Sequence, residues 1–77
     1  MTEEKIRKKV MEEFDSTLEE FQKVKTLEHA LMFAGSAITL NSIMRKFGWI
    51  SSKEFQKNRK NIASIFTHGH IVEEGAE

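Results

Sequence analysis

The sequence predicts an all-α protein: a small bundle of three to four helices around a central apolar helix, with a basic amphipathic helix last. Three observations carry this. The stretch Leu27–Gly48 is apolar on nearly every side, through Leu27, Ala30, Leu31, Met32, Phe33, Ala34, Ala37, Ile38, Leu40, Ile43, Met44 and Phe47. A helix apolar all round is expected to be buried, with its neighbours packed over it. The flanking segments repeat apolar residues at spacings of three and four, the period of a helix with one face on a core. Ser, Thr and Glu stand where helix starts need them, and the chain has no proline.

Thr2 is the expected N-cap of the first helix, with Glu3 and Glu4 in the first turn where the positive end of the helix dipole favours them. Ile6, Val10, Phe14, Leu18 and Phe21 draw an apolar stripe from there to about Val24. A break near Asp15 is the less favoured alternative, since Ser16 with Glu19 or Thr17 with Glu20 also matches a capping box.

Thr26 is the expected cap of the helix that starts at Leu27. Gly35–Ser36 then decides between three helices and four. One continuous helix would run to Phe47. A break near Ala34, with Thr39 capping a short helix from Leu40 to Phe47, is the preferred reading, because Thr39, Asn41 and Ser42 favour caps and turns over helix interiors. Gly48 ends the segment.

Ser51 and Glu54 form an S-x-x-E capping box, and Ile50 with Phe55 fits the hydrophobic staple, so a last helix is expected over residues 52–66. Phe55, Ile62 and Phe66 share its apolar face, and Lys53, Lys57 and Lys60 lie opposite. Gly69 is the expected stop. Residues 1–70 thus read as one helical domain and residues 71–77 as an acidic, mostly disordered tail with an anchor at Ile71–Val72.

Composition narrows the function. A 77-residue chain buries only about 60–65% of its unfolded surface and is marginal alone, so a homodimer or a partner is expected. With no cysteine, neither disulfides nor a thiolate metal site can staple it. The N-terminus lacks the apolar core of a secretory signal, and no run is long enough to cross a bilayer. A cytoplasmic protein without membrane attachment is expected. The net charge of zero hides a division: residues 1–40 carry −2, residues 41–66 carry +5 and residues 67–77 carry −3.

Two surfaces carry functional expectations. Trp49, flanked by Phe47 and Ile50 in a turn, is a favoured type of interface anchor, and Met32, Phe33 and Met44 add adaptable apolar area. Met32, Phe33, Met44, Trp49 and Ile50 are therefore the candidate protein-binding residues. Residues 39–59 resemble a helix-turn-helix unit, with Lys53, Gln56, Lys57, Lys60 and Asn61 on the second helix and Arg45 and Lys46 before the turn as candidate DNA contacts. This segment departs from that pattern in its bulky Met44 and in a turn about one residue too long.

His68, His70, Glu73, Glu74 and His29 contain ligand-type atoms without a metal-binding spacing. No phosphate loop, nucleophile elbow or H-E-x-x-H motif occurs. No enzyme activity, metal or cofactor is expected. The leading expectation is a small regulatory or inhibitor protein that binds another protein, of a size that suits a phage or bacterial modulator. A helix-turn-helix DNA-binding transcriptional regulator is the alternative.

Overall fold

A computed structural model describes residues 2–67 of the chain. The expectations for His68, Gly69, His70, Ile71–Val72, Glu73, Glu74 and the acidic tail concern residues outside these. The described residues form three helices and no strand: α1 (Glu3–Lys23), α2 (Leu27–Lys46) and α3 (Ser52–Phe66).

Each helix begins at the residue its local chemistry selects. The Thr2 hydroxyl accepts from the backbone N–H of Lys5, and the Thr26 hydroxyl from that of His29. At α3 the capping box is reciprocal: Ser51 Oγ accepts from the Glu54 N–H at 3.1 Å while Glu54 Oε1 accepts from the Ser51 N–H at 3.4 Å. These bonds satisfy N–H groups that a helix start leaves without partners.

α2 ends as the glycine predicts. Gly48 adopts φ 73°, the N–H of Gly48 donates to the Arg45 carbonyl, and the N–H of Trp49 donates to the Met44 carbonyl at 2.9 Å. This is a Schellman stop, which needs a left-handed residue just past the helix. It turns the chain so that α3 runs back alongside α2.

Two expectations are corrected. α2 is one unbroken helix through Gly35 and Ser36, so Thr39 is an interior residue and there is no fourth helix among the described residues. A mid-helix glycine costs about 1 kcal/mol relative to alanine, which packing on both neighbouring helices outweighs. Nor does α2 bury itself all round. Its inward face is Ala30, Ala34, Ala37, Asn41 and Met44, while Leu31, Met32 and Ile38 are exposed. The small residues sit where α2 meets both neighbours, so the helices approach closely and the bulkier side chains are displaced to the flanks.

α2 packs against α1 and α3, which meet each other little; the rings of Phe21 and Phe66 come within 6.4 Å. Phe14, Phe21, Met44, Ile50 and Ile62 complete the core, flanked by half-buried Val10, Leu18, Phe33, Leu40 and Phe55. The first turns of α1 extend past this packing, and Ile6 is exposed. Asn41 and Thr17 are the buried polar residues, and no buried side-chain polar atom among the described residues lacks a hydrogen-bond partner.

The two helix-associated glycines differ in what they do, and substitution separates them. A Cβ at Gly35 would meet nothing within 4 Å, and its φ is not positive. Gly35→Ala should therefore stabilise the protein by up to about 1 kcal/mol through helix propensity. At Gly48 space is also free, but the left-handed backbone makes Gly48→Ala cost about 1–2 kcal/mol. Melts followed by circular dichroism should show midpoints moving in opposite directions, by about 4–8 °C per kcal/mol for a domain of this size.

Candidate functional site

An apolar groove lies between α2 and α3. Leu31, Ala34 and Ile38 form one wall, and Phe55, Ile62, Ala63 and Phe66 form the other, with Asn41 and Ser42 towards one end. Its origin is visible in the helix geometry. Leu27, Leu31 and Ile38 recur at four and seven residues, a stripe turned some 80° from the centre of the buried alanine face. Leu31 and Ile38 are 57% and 52% exposed, which is unusual for two aliphatic side chains that flank a core.

Asn41 ties the two walls together. Its Nδ2 donates to the Phe55 carbonyl at 3.2 Å, and its Oδ1 accepts from Asn58 Nδ2 at 2.8 Å. The pair fixes the register of α3 on α2. Arg59 lies one residue beyond Asn58 on the groove edge, its guanidinium 6.0 Å from the centre of the Phe55 ring. It is the single charged side chain of the groove lining among the described residues.

A second apolar feature lies at the α2–α3 corner. The Trp49 ring is half-buried and stacks on Phe47 with centroids 5.1 Å apart, and Phe47 is 60% exposed. The Schellman stop and the capping box hold this corner between two helix ends.

Of the residues expected to bind protein, Met32 is exposed, Phe33 and Trp49 are half-buried, and Met44 and Ile50 belong to the core. The last two are corrections. Met44 falls on the Ala30/Ala37/Asn41 face of α2, and Ile50 precedes the α3 cap where the chain turns inward, so neither reaches a partner from the folded chain. Phe33 packs against the core, and Leu31 and Ile38 face out. Among the described residues Ile6, Leu27, Leu31, Ile38 and Phe47 are the large exposed apolar residues that the expected set omits. The spacing of those in α2 was visible in the sequence, but a helix apolar on every side offers no contrast by which to choose its outer face.

The basic residues are placed as their periodicity requires. Arg45, Lys46, Lys53, Gln56, Lys57, Lys60 and Asn61 are all exposed. Lys53, Lys57 and Lys60 share the outer face of α3, away from the groove. However, α2 and α3 line one groove along most of their length, whereas the helices of a helix-turn-helix unit cross at about 90–120°. The support helix is also far longer than that unit uses.

Among the described residues no three His, Cys, Asp or Glu side chains converge in a way that would hold a metal ion. His29 is engaged locally, its Nδ1 2.9 Å from the Thr26 hydroxyl. No described helix is long and apolar enough to cross a membrane. Comparison with known families, curated proteins and solved structures finds no match for this chain.

Proposed function

We propose that the protein is a small non-enzymatic regulator or inhibitor, cytoplasmic, that acts by binding another protein in the α2–α3 groove. The observation that carries this is the exposed Leu31/Ile38 stripe beside an apolar groove, in a chain whose own core is complete without it. A contiguous apolar patch rimmed by polar residues marks an interaction surface. A groove between two helices, some 16 Å long from Leu31 to Ser42, fits about three turns of an amphipathic helix. Phe47 and Trp49 extend the surface at the corner.

Leu31→Glu combined with Ile38→Glu should reduce partner binding at least about tenfold, since each charge would be buried unpaired in the complex. Helicity by circular dichroism should stay at the wild-type level, because both positions are solvent-facing. The comparison is capture of partners from cell extract by wild-type and variant protein in parallel. An identical set of captured proteins from both would reject the groove as the binding site.

The outer face of α3 supports a second reading, DNA binding, because Lys53, Lys57 and Lys60 are exposed together and residues 41–66 carry +5. Binding of this kind weakens steeply between about 50 and 200 mM salt as counterions are released. Lys53→Glu with Lys57→Glu should then abolish a DNA complex while Leu31→Glu leaves it intact. Absence of any complex with duplex DNA at the lower salt rejects this reading.

A further inference from the structure

We infer that the segment taken by the α2–α3 groove is an acidic amphipathic helix of another protein, with an apolar stripe that faces the groove and carboxylates on both flanks of that stripe. The inference rests on the groove being the protein-binding surface, and it names the chemistry of the partner.

The walls of the groove decide the form of the segment. Both walls are helices, and among the described residues there is no strand whose edge could border it. An extended peptide laid there would set its backbone N–H and C=O groups against apolar side chains, without partners. A helix satisfies those groups internally and presents side chains at i, i+3, i+4 and i+7 to an apolar groove.

Charge selects among helices. α2 and α3 together carry six Lys and Arg against two Asp and Glu, whereas α1 carries five against seven. Neither carboxylate of α2 and α3 is in the groove lining. Glu28 lies on the side of α2 away from α3, and Glu54 Oε1 is engaged by Ser51 at the α3 cap. Arg59 is the ion that a docked segment meets on the α3 wall. Its place is fixed twice, by the Asn41 bonds that hold α3 in register and by the Phe55 ring, 6.0 Å from its guanidinium. That register brings Arg59 about level with Ile38. On the α2 wall, Arg45 follows Leu31, Ile38 and Ser42 at helical spacing, about 10 Å beyond Ile38 towards the corner. Both guanidinium groups are exposed, and neither has an ion-pair partner among the described residues. A cation on each wall favours a carboxylate on the facing flank of the docked helix and repels a lysine there.

The test is fluorescence anisotropy of three labelled synthetic helical probes, each about 16 residues long, titrated with the full chain. All share one leucine stripe, and the residues that flank it are Glu in the first probe, Gln in the second and Lys in the third. The Glu probe should bind about tenfold or more tighter than the Gln probe, and the Lys probe should bind weakest. Raising salt from about 50 to about 300 mM should narrow these gaps, because exposed charge pairs are screened. Arg45→Glu combined with Arg59→Glu should reverse the order, so that the Lys probe binds tightest. A folding defect would weaken all three probes together and could not reverse their order. Lys53→Glu with Lys57→Glu, on the outer face of α3, should leave the order as it is.

Equal binding of the Glu and Gln probes, abolished for both by Leu31→Glu with Ile38→Glu, overturns the inference while the groove remains the binding site. Binding of the Glu probe that survives Leu31→Glu with Ile38→Glu overturns both, because the acidic segment then sits outside the groove. No binding of any probe at about 1 mM also overturns the inference. A chain that then sediments as a dimer, and as a monomer once it carries Ile38→Glu, gives the groove to a second copy instead.

Discussion

Phe21→Ala is expected to destabilise the protein by about 3–5 kcal/mol, enough to leave much of it unfolded at physiological temperature. Phe21 is wholly buried, at 0% exposure, near the end of α1, and its ring meets Phe66 near the end of α3. α1 and α3 otherwise touch little, so this ring holds the distal ends of the outer helices together. Truncating a buried phenylalanine loses its transfer free energy and leaves a cavity, together worth about 3–5 kcal/mol. A domain of this length has a total stability of only about 4–12 kcal/mol. Urea titration followed at 222 nm checks the result. A loss below about 1 kcal/mol would mean that α1 is held chiefly by Phe14 and its neighbours, with its C-terminal end free to fray.

The second large effect belongs to Asn41. The side chain is 1% exposed and bridges α2 to α3 through Phe55 and Asn58. Asn41→Ala removes both bonds and opens a void, and should cost about 2–3 kcal/mol. Asn41→Leu is the informative control. It restores the volume; the Phe55 carbonyl keeps its helical hydrogen bond, and the half-buried Asn58 amide can turn to water. Replacing a buried polar bridge by a well-packed apolar group is often close to neutral, so Asn41→Leu should fall within about 1 kcal/mol of wild type. That contrast would assign the bridge to register rather than to net stability. Equal losses in the two variants would show the hydrogen bonds themselves to be the larger contribution.

The stripe and the groove were only half legible beforehand. Leu27, Leu31 and Ile38 stand out as a periodic set once α2 is known to be continuous, but Ala30, Ala34, Ala37, Asn41 and Met44 form an equally periodic set on the adjacent face. Hydropathy favours the larger residues for the core. The structure selects the smaller ones, because a helix wedged between two neighbours gains more from close backbone approach than from burying a few long side chains. Met44 went inward and Leu31 outward for that reason. The exposed lysines of α3 involved no such competition, since charges seek water whichever face is apolar.

The sequence alone determined where each helix begins and where α2 ends. Thr2, Thr26 and Ser51 cap the three starts and Gly48 supplies the left-handed stop, and these are contacts between residues at most five apart, which need no knowledge of the rest of the chain. The tertiary structure alone decided that α2 passes unbroken through Gly35, that its alanine face is the buried one, and that Leu31 and Ile38 border an open groove. Those outcomes depend on α1 and α3 packing against α2 at once, and an energy shared among three helices has no signature in the residues of any one of them.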